Sequence, residues 1–305
     1  MIKTIFLLLF AVIIIPFIAF FFDDPLLPVQ KEMLMNMVYL MSGVAISCFV
    51  LSLITNNCSQ VDKLWSVIPI VYVWYFAYAG GFDPRMTLMA ILVTIWGVRL
   101  TYNFGRRGGY SWKFWTGEED YRWEVLKKNP ALSGKVRWTL FNFFFISFYQ
   151  LTLILFFTLP MVVAYQGKDK PLGVWDLILA LIIIGLVVIE TIGDQQQYNY
   201  QTEKYRRKNA GEKLEGDYAK GFIDTGLWGK VRHPNYSSEQ SIWIVFYLFS
   251  VVATGKWINW SLAGAVLLVI LFQGSADFSE NISLEKYPDY KNYIKRIPRF
   301  LPKLW

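Results

Sequence analysis

Eight apolar runs, at roughly 4–22, 34–55, 65–80, 87–104, 138–162, 174–193, 241–254 and 259–273, alternate with blocks of charge along the 305 residues. Most approach the ~20 residues that cross a hydrocarbon core as a helix. Backbone groups in lipid find no water to bond. These runs therefore predict an all-α, polytopic bundle of about seven or eight transmembrane helices rather than a barrel. The last two are short and predict a tight hairpin. The first is too long for the apolar region of a signal peptide and lacks a small-x-small cleavage site, which predicts a retained helix, kinked at Pro16.

Orientation follows from the basic residues. Segments 105–137 and 194–232 hold eight Lys and Arg each and the tail after 274 holds six, whereas the intervening connections 23–33, 81–86, 163–173 and 255–258 hold five in total. Eight helices with both termini cytoplasmic place every basic segment on one side, in an inner membrane or the endoplasmic reticulum according to source. The net charge of +7 is accounted for by that pattern and an anionic ligand, and gives no reason to invoke nucleic acid.

No repeat, low-complexity tract or flexible linker divides the chain, so residues 1–305 read as one domain, with function concentrated in loops 105–137 and 194–232. Neither loop carries a strand-borne G-x-G-x-x-G or a G-x-x-x-x-G-K-[ST] motif, which excludes a soluble nucleotide-binding domain. Any nucleotide must be held by loops and helix ends. Cys48 and Cys58 have no Cys or His partners at ligand spacing, so no metal site and no disulfide framework is expected.

The densest chemistry lies in Arg232-His233-Pro234-Asn235-Tyr236-Ser237-Ser238-Glu239, which contains the chain's one histidine. Pro234 suits the first turn of a helix, and Ser237 with Gln240 has the spacing of a capping box. The run reads either as a capped helix start at the headgroups or as an anion site, since a helix N-terminus with Arg232 beside it attracts phosphate. Glu239 and Trp243, four apart, share a face one turn inside. Glu190 and Asp194 close the sixth run on one helical face, either ending the helix in water or holding a polar ligand. Asp62 opens the third run, where the helix dipole alone favours an acid. Arg99, five residues inside the fourth run, either snorkels or pairs with Asp62 or a phosphate. The tail 280–303 reads as an amphipathic segment on the membrane surface or capping the bundle.

The stretches Thr225-Gly226-Leu227-Trp228, Arg232-His233-Pro234-Asn235-Tyr236 with Glu239, and Tyr287-Pro288-x-Tyr290 resemble the membrane family of steroid 5-alpha-reductases, most closely a branch of unknown function. Asp62-x-x-Trp65-Ser66, Gly97-x-Arg99-Leu100 and Glu119-Asp120-Tyr121-Arg122 extend the resemblance over about 57–300, with a cofactor-binding part at about 190–300. The resemblance implies hydride transfer from NADPH to an activated carbon–carbon double bond of a lipid or steroid-like enone from the bilayer. Asp194, Asn235, Tyr236, Glu239 and Trp243 match cofactor-binding positions, with Glu190 where the steroid enzymes have an amide. His233 joins the cofactor clasp, and Arg99, Arg106, Arg122 and Arg232 are plausible phosphate clamps. Asp62 aligns with the acid that polarises the substrate carbonyl, with Tyr236 as a second catalytic candidate. Trp96 stands where the family's carbonyl-binding Tyr is expected, and Ser237-Ser238 replaces the branch's usual Phe-Gly.

Two other readings remain. A membrane methyltransferase of the isoprenylcysteine carboxyl methyltransferase kind also carries Arg-His-Pro-x-Tyr and uses S-adenosylmethionine, although Phe278-Ser279-Glu280 does not reproduce its paired glutamates. A non-catalytic lipid-binding protein on the same helical scaffold is the third.

Overall fold

The computed structural model describes residues 2–113 and 115–303, with side chains from residue 6 onward. Helices α1 (Ile2–Phe21), α2 (Pro28–Thr55), α3 (Gln60–Leu64), α4 (Ile68–Ala79), α5 (Pro84–Gly105) and α6 (Tyr121–Lys127) come first. A continuous helical span, Lys135–Gly167, follows. It comprises α7 (Lys135–Phe141), a π-helical stretch (Asn142–Tyr149), α8 (Gln150–Thr158), α9 (Pro160–Ala164) and a short 3-10 turn. The chain ends with α10 (Val174–Asn209), α11 (Asp217–Lys220), α12 (Pro234–Thr254), α13 (Leu262–Lys286) and α14 (Tyr290–Arg296). Among the described residues there is no strand.

All eight apolar runs are helical, and five of the helices are long and apolar enough to cross a membrane: α2, α5, the span 135–167, α10 and α13. Helix α1 runs through Pro16 without ending. The last two runs, expected to be short, lie in helices of 21 and 25 residues. Polar, helix-compatible residues extend both apolar runs, backwards to Pro234 and forwards to Lys286. For the same reason the sixth helix does not close at Asp194. The following Gln, Tyr and basic residues keep α10 helical for 36 residues, so Glu190 and Asp194 sit in mid-helix.

The chain forms two compact units. The first comprises Met1–Leu181 and Ile244–Leu268, the second Ile182–Trp243 and Val269–Trp305.

In the first unit, α2 presents a buried stripe, Met33, Met37, Met41, Ala45, Cys48 and Ser52, at helical spacing. It packs antiparallel to the π-helical stretch and α8. Asn142 Nδ2 donates to Ser52 Oγ at 2.6 Å, Phe143 meets Phe49 edge-on at 5.0 Å, and Thr152 Oγ1 lies 3.8 Å from Met41 Sδ. The span 135–167 is the core of this unit: 83% of its apolar window is buried, against 28–39% for the other four spans. Helices α4 and α5 approach closely at Gly97, where an added Cβ would lie 2.5 Å from the Ser66 carbonyl oxygen. Asp83 caps α5 by accepting from the Arg85 and Met86 amides. The Arg85 side chain grips Asp176 in a bidentate pair at 2.7 and 3.0 Å and donates to the Gly167 and Pro171 carbonyls, so both buried charges are compensated.

The second unit is built around the polar extension of α10. Phe222, Tyr290 and Tyr293 form its apolar nucleus, with Tyr287, Ile294 and Ile297 against it. Gly221, at φ +90°, is required there because a side chain would strike the Tyr287 ring at 2.2 Å. Lys204 donates to the Gly221 carbonyl at 2.7 Å and lies over the Tyr200 and Tyr287 rings. The tail, expected on the membrane surface or as a cap, packs into this unit, with Tyr290 and Tyr293 buried. Its Tyr287, Tyr290 and Tyr293 rings bury one another around Phe222.

Candidate functional site

Two clusters hold the residues singled out in the sequence. The first is the N-terminal end of α12, in the second unit. Pro234 is the first helical residue, as its missing N–H allows. The expected capping box does not form. Ser237 Oγ donates instead to the Phe300 carbonyl at 2.7 Å, and Gln240 Nε2 to the Tyr236 carbonyl at 2.8 Å. The C-terminal tail supplies the missing cap. The Arg232 and His233 amides donate to the Pro298 and Arg299 carbonyls at 2.9 and 3.1 Å. Arg232 Nη1 donates to the Ile294 and Ile297 carbonyls. Five tail carbonyls thus accept from residues 232–237.

Glu280, on α13, gathers the remaining charge. Arg232 reaches it through Nε at 2.9 Å and Nη2 at 3.3 Å, His233 Nε2 at 2.8 Å, and Arg299 Nη2 at 2.8 Å. Arg232 and His233 are therefore committed to an internal network rather than presented at an open helix end. The His233 ring stacks on Tyr236, 5.2 Å between centroids, and Tyr236 meets Phe272 edge-on at 4.8 Å. Glu280 was not reached from the sequence. Its one signal was an acid late in the last apolar helix, 48 residues from the arginine it neutralises.

Facing this helix start, α10 carries Glu190, Gly193 and Asp194. Asn235 Nδ2 donates to Asp194 Oδ1 at 3.2 Å, and Trp243 Nε1 to Glu239 Oε1 at 3.1 Å. Glu190, Asp194 and Glu239 are all buried. Gly193 allows the approach, because a Cβ there would already lie 3.4 Å from the Pro234 ring. The Thr225-Gly226-Leu227-Trp228 run docks on the same helix. The Leu227 amide donates to Gln196 Oε1 and Trp228 Nε1 to the Gly193 carbonyl, both at 3.0 Å. Gly226, at φ +61°, is needed because a Cβ would meet the Gln196 amide at 2.6 Å. The seam between α10 and α12 thus offers carboxylates, an amide and an indole. That mix suits hydroxyl groups and carboxamides, which both donate and accept.

The second cluster lies in the first unit. Asp62 Oδ2 accepts from the Trp123 indole at 3.0 Å. Arg122 lies over the Trp123 ring but is bound in bidentate fashion by Asp120 at 2.8 and 2.9 Å. Part of Asp62 is accessible, yet its carboxyl is enclosed. Burial pushes its pKa above the usual carboxylate range, against the lowering influence of the Arg122 charge. Burial works upward on Asp120 as well, but the charge and hydrogen bonds of Arg122 outweigh it and hold Asp120 below that range. Neighbouring Lys63 is buried and donates to the Thr116 carbonyl at 2.7 Å; burial lowers its pKa. The Glu119-Asp120-Tyr121-Arg122 run fastens loop 105–128 to the turn before α3. Glu119 accepts from the Cys58 amide at 2.7 Å, and the Asp120 amide donates to Ser59 Oγ at 2.9 Å. Arg99 is half-buried on α5, Trp96 fully buried beside Gly97, and Arg106 donates to Asn103 Oδ1 at 2.7 and 3.0 Å. Burial pushes the Cys58 thiol up to about 12, which makes it unreactive. Among the described residues no group of three His, Cys, Asp or Glu side chains is placed to hold a metal.

Comparison with known proteins gives four findings. An uncharacterised protein of Schizosaccharomyces pombe is 36% identical over 261 residues, covering 82% of this chain and 74% of its own length. A protein of Acanthamoeba polyphaga mimivirus, named a probable 7-dehydrocholesterol reductase, is 30% identical over 148 residues, which is 45% of this chain but 31% of the viral protein. No solved structure matches. The sequence model described as "Protein of unknown function (DUF1295)" matches residues 48–297, so the chain belongs to that family.

Proposed function

We propose that the protein is a membrane-embedded reductase that uses NADPH to saturate an activated carbon–carbon double bond of a lipid or steroid-like enone. The observation that carries this reading is the buried polar seam of Glu190, Asp194, Asn235, Glu239 and Trp243, inside a chain whose mimivirus relative is named a probable reductase. The groups in the seam fit a dinucleotide. Asp194 and Glu239 would accept from ribose hydroxyls, while the Asn235 amide would both donate and accept, as a carboxamide partner must. Bound NADPH supplies the hydride. Trp243 fixes the Glu239 carboxylate, and the Glu280 network fixes the backbone at 232–233 from which Asn235 and Tyr236 project.

In the first unit, Asp62 is the candidate donor to the carbonyl oxygen on which charge builds as the double bond is reduced. Its burial favours the protonated form, which can donate, and the Trp123 indole holds the other oxygen in place. The proton is then available for return to the alpha carbon.

The test uses purified full-length protein in detergent, titrated with NADPH and with S-adenosylmethionine and followed by thermal shift. NADPH is expected to stabilise it, and Asn235→Ala and Glu239→Ala each to weaken that binding about tenfold, or ~1.4 kcal/mol. Stabilisation by S-adenosylmethionine alone would establish the methyltransferase reading instead. Unchanged NADPH affinity in both variants would remove the seam from the cofactor site.

A further inference from the structure

We infer that the tip of the loop between α5 and α6, Ser111-Trp112-Lys113, seats in the headgroup layer of an anionic lipid leaflet and so braces the Asp62-bearing segment 57–63 against the membrane. Trp112 is fully exposed, more so than any other large apolar side chain among the described residues. An indole is a large apolar ring with one N–H, and water serves the N–H but not the ring. The boundary of a bilayer serves both.

The loop is clamped at its base. Tyr110 Oη donates to the Lys63 carbonyl and Lys63 Nζ to the Thr116 carbonyl, both at 2.7 Å. Gln60 Nε2 donates to the Trp115 carbonyl at 3.1 Å and Asn57 Nδ2 to the Gly117 carbonyl at 3.0 Å. The neck closes where the Glu118 amide donates to the Gly108 carbonyl at 3.2 Å. Gly117, at φ +124°, is required there, because a Cβ would lie 2.7 Å from the Gly109 carbonyl oxygen. Beyond the neck, Ser111, Trp112 and Lys113 are all exposed.

The clamp also fixes the level of the tip. Segment 57–63 follows the end of α2 at Thr55, and the hydroxyls of Ser66 and Thr101 meet at 2.7 Å, one turn before α5 ends at Gly105. The bond from Asn142 to Ser52 puts the start of the span 135–167 at the same end of the bundle. Three membrane-crossing helices thus terminate beside the base of the loop. From Trp115 the chain reaches Trp112 within about 10 Å, a distance comparable with the headgroup layer outside the hydrocarbon core. Tyr102, exposed on the last turn of α5 beneath the Arg106 guanidinium, offers a second ring at this boundary. Charge selects the lipid. Segment 105–137 holds eight Lys and Arg against four acids. Three of those acids are paired with Arg122, Lys127 and Lys128. Lys113 at the tip, and Lys135 and Arg137 at the start of the span, are exposed. That surplus complements phosphatidylserine-type headgroups. The inference does not rest on the reductase reading.

The test places a fluorophore at position 111 through Ser111→Cys, since Cys48 and Cys58 are buried and escape labelling. The full-length protein is reconstituted into nanodiscs of phosphatidylcholine, or of equal parts phosphatidylcholine and phosphatidylserine. A lipid carrying a nitroxide just below its headgroup is expected to quench the fluorophore more than a water-soluble neutral nitroxide does, and more in the anionic discs. Trp112→Ser should reverse that order in both discs while leaving the Tm in detergent unchanged, because the indole is fully exposed. Lys113→Gln should lower the ratio of inserted to free loop in the anionic discs about fivefold, as loss of one lysine at an anionic surface does. Hydrogen exchange across 57–63 should be slower in anionic than in neutral discs for the parent, and alike in both for Trp112→Ser. Stronger quenching from water in both discs would overturn the inference and leave the tip for a protein partner. A Tm lowered by Trp112→Ser in detergent would overturn it too, by making the indole part of the packing. Exchange at 57–63 that ignores both lipid and Trp112 would overturn the bracing.

Discussion

Glu280 and Asp62 are both enclosed carboxyl groups flanked by arginine, but their surroundings put them to opposite uses. Glu280 receives Arg232, His233 and Arg299, and residues 232 and 233 in turn tie down the tail carbonyls of Ile294, Ile297, Pro298 and Arg299. Asp62 accepts from the Trp123 indole and from Ser59, while the Arg122 guanidinium that acts on it is claimed by Asp120. A buried carboxylate surrounded by cations stays ionised and acts as a fastening. A buried carboxyl whose cation has been drawn away favours its proton and becomes a donor. The same residue types therefore yield architecture in the second unit and candidate chemistry in the first.

The contrast is broken most directly by removing the fastening. Glu280→Ala leaves Arg232, His233 and Arg299 without their shared partner, and breaking one side of a buried ion pair costs about 3–5 kcal/mol. Thermal unfolding in detergent should show that loss, with Glu280→Gln recovering part of it. Tail release should also speed tryptic cleavage at Arg296 and Arg299. A loss under about 1 kcal/mol would mean that the tail is held by its aromatic side chains alone.

A smaller effect is expected at Gly97, which sets the approach of α5 to the helix start that follows Asp62. A Cβ there meets the Ser66 carbonyl oxygen at 2.5 Å and the Ile70 side chain at 2.7 Å. The oxygen is backbone and cannot swing aside, so α4 and α5 must part. Gly97→Ala should cost about 1–3 kcal/mol. Gly43→Ala on α2 meets nothing within 4 Å and should gain up to about 1 kcal/mol from helix propensity. Equal effects at the two glycines would show that the approach is not what fixes this region.

Periodicity and length made the helices legible, and spacing made the Glu239–Trp243 pair legible, since four residues on a helix put them on one face. The Glu119-Asp120-Tyr121-Arg122 run could be marked as special, but not explained. Its partners, Cys58 and Ser59, lie some sixty residues away, across three helices. Glu280 was hidden for the same reason. The capping box at Ser237 failed because local spacing cannot know that a distant tail will bring a better acceptor. The extension of α10 past Asp194 was half visible, for its Gln, Glu, Lys and Arg residues form helix readily but carry no apolar period to prove it. The π-helical stretch left no trace in its sequence, where an aromatic run reads equally well as ordinary helix.

The mildest perturbation sharpens the contrast by the sign of its pH dependence. Because burial raises the Asp62 pKa, the native protein holds that proton more tightly than the unfolded chain does. Asp62 thus contributes fully to stability below the ordinary carboxylate range, and the contribution is lost as pH rises through its raised native value. Asp62→Asn cannot ionise. At acid pH it should unfold within about 0.5 kcal/mol of the parent, and as pH climbs through that window it should become the more stable of the two. Glu280→Gln should never overtake the parent on the alkaline side. If Asp62 is the carbonyl donor, enone reduction by the parent falls over the same rising-pH window, whereas the Asn variant is slow throughout and flat in pH, with NADPH affinity unchanged. Parallel pH curves for parent and Asp62→Asn, in unfolding and in turnover alike, would show that this carboxyl does not titrate differently in the folded protein, and the distinction from Glu280 would be lost.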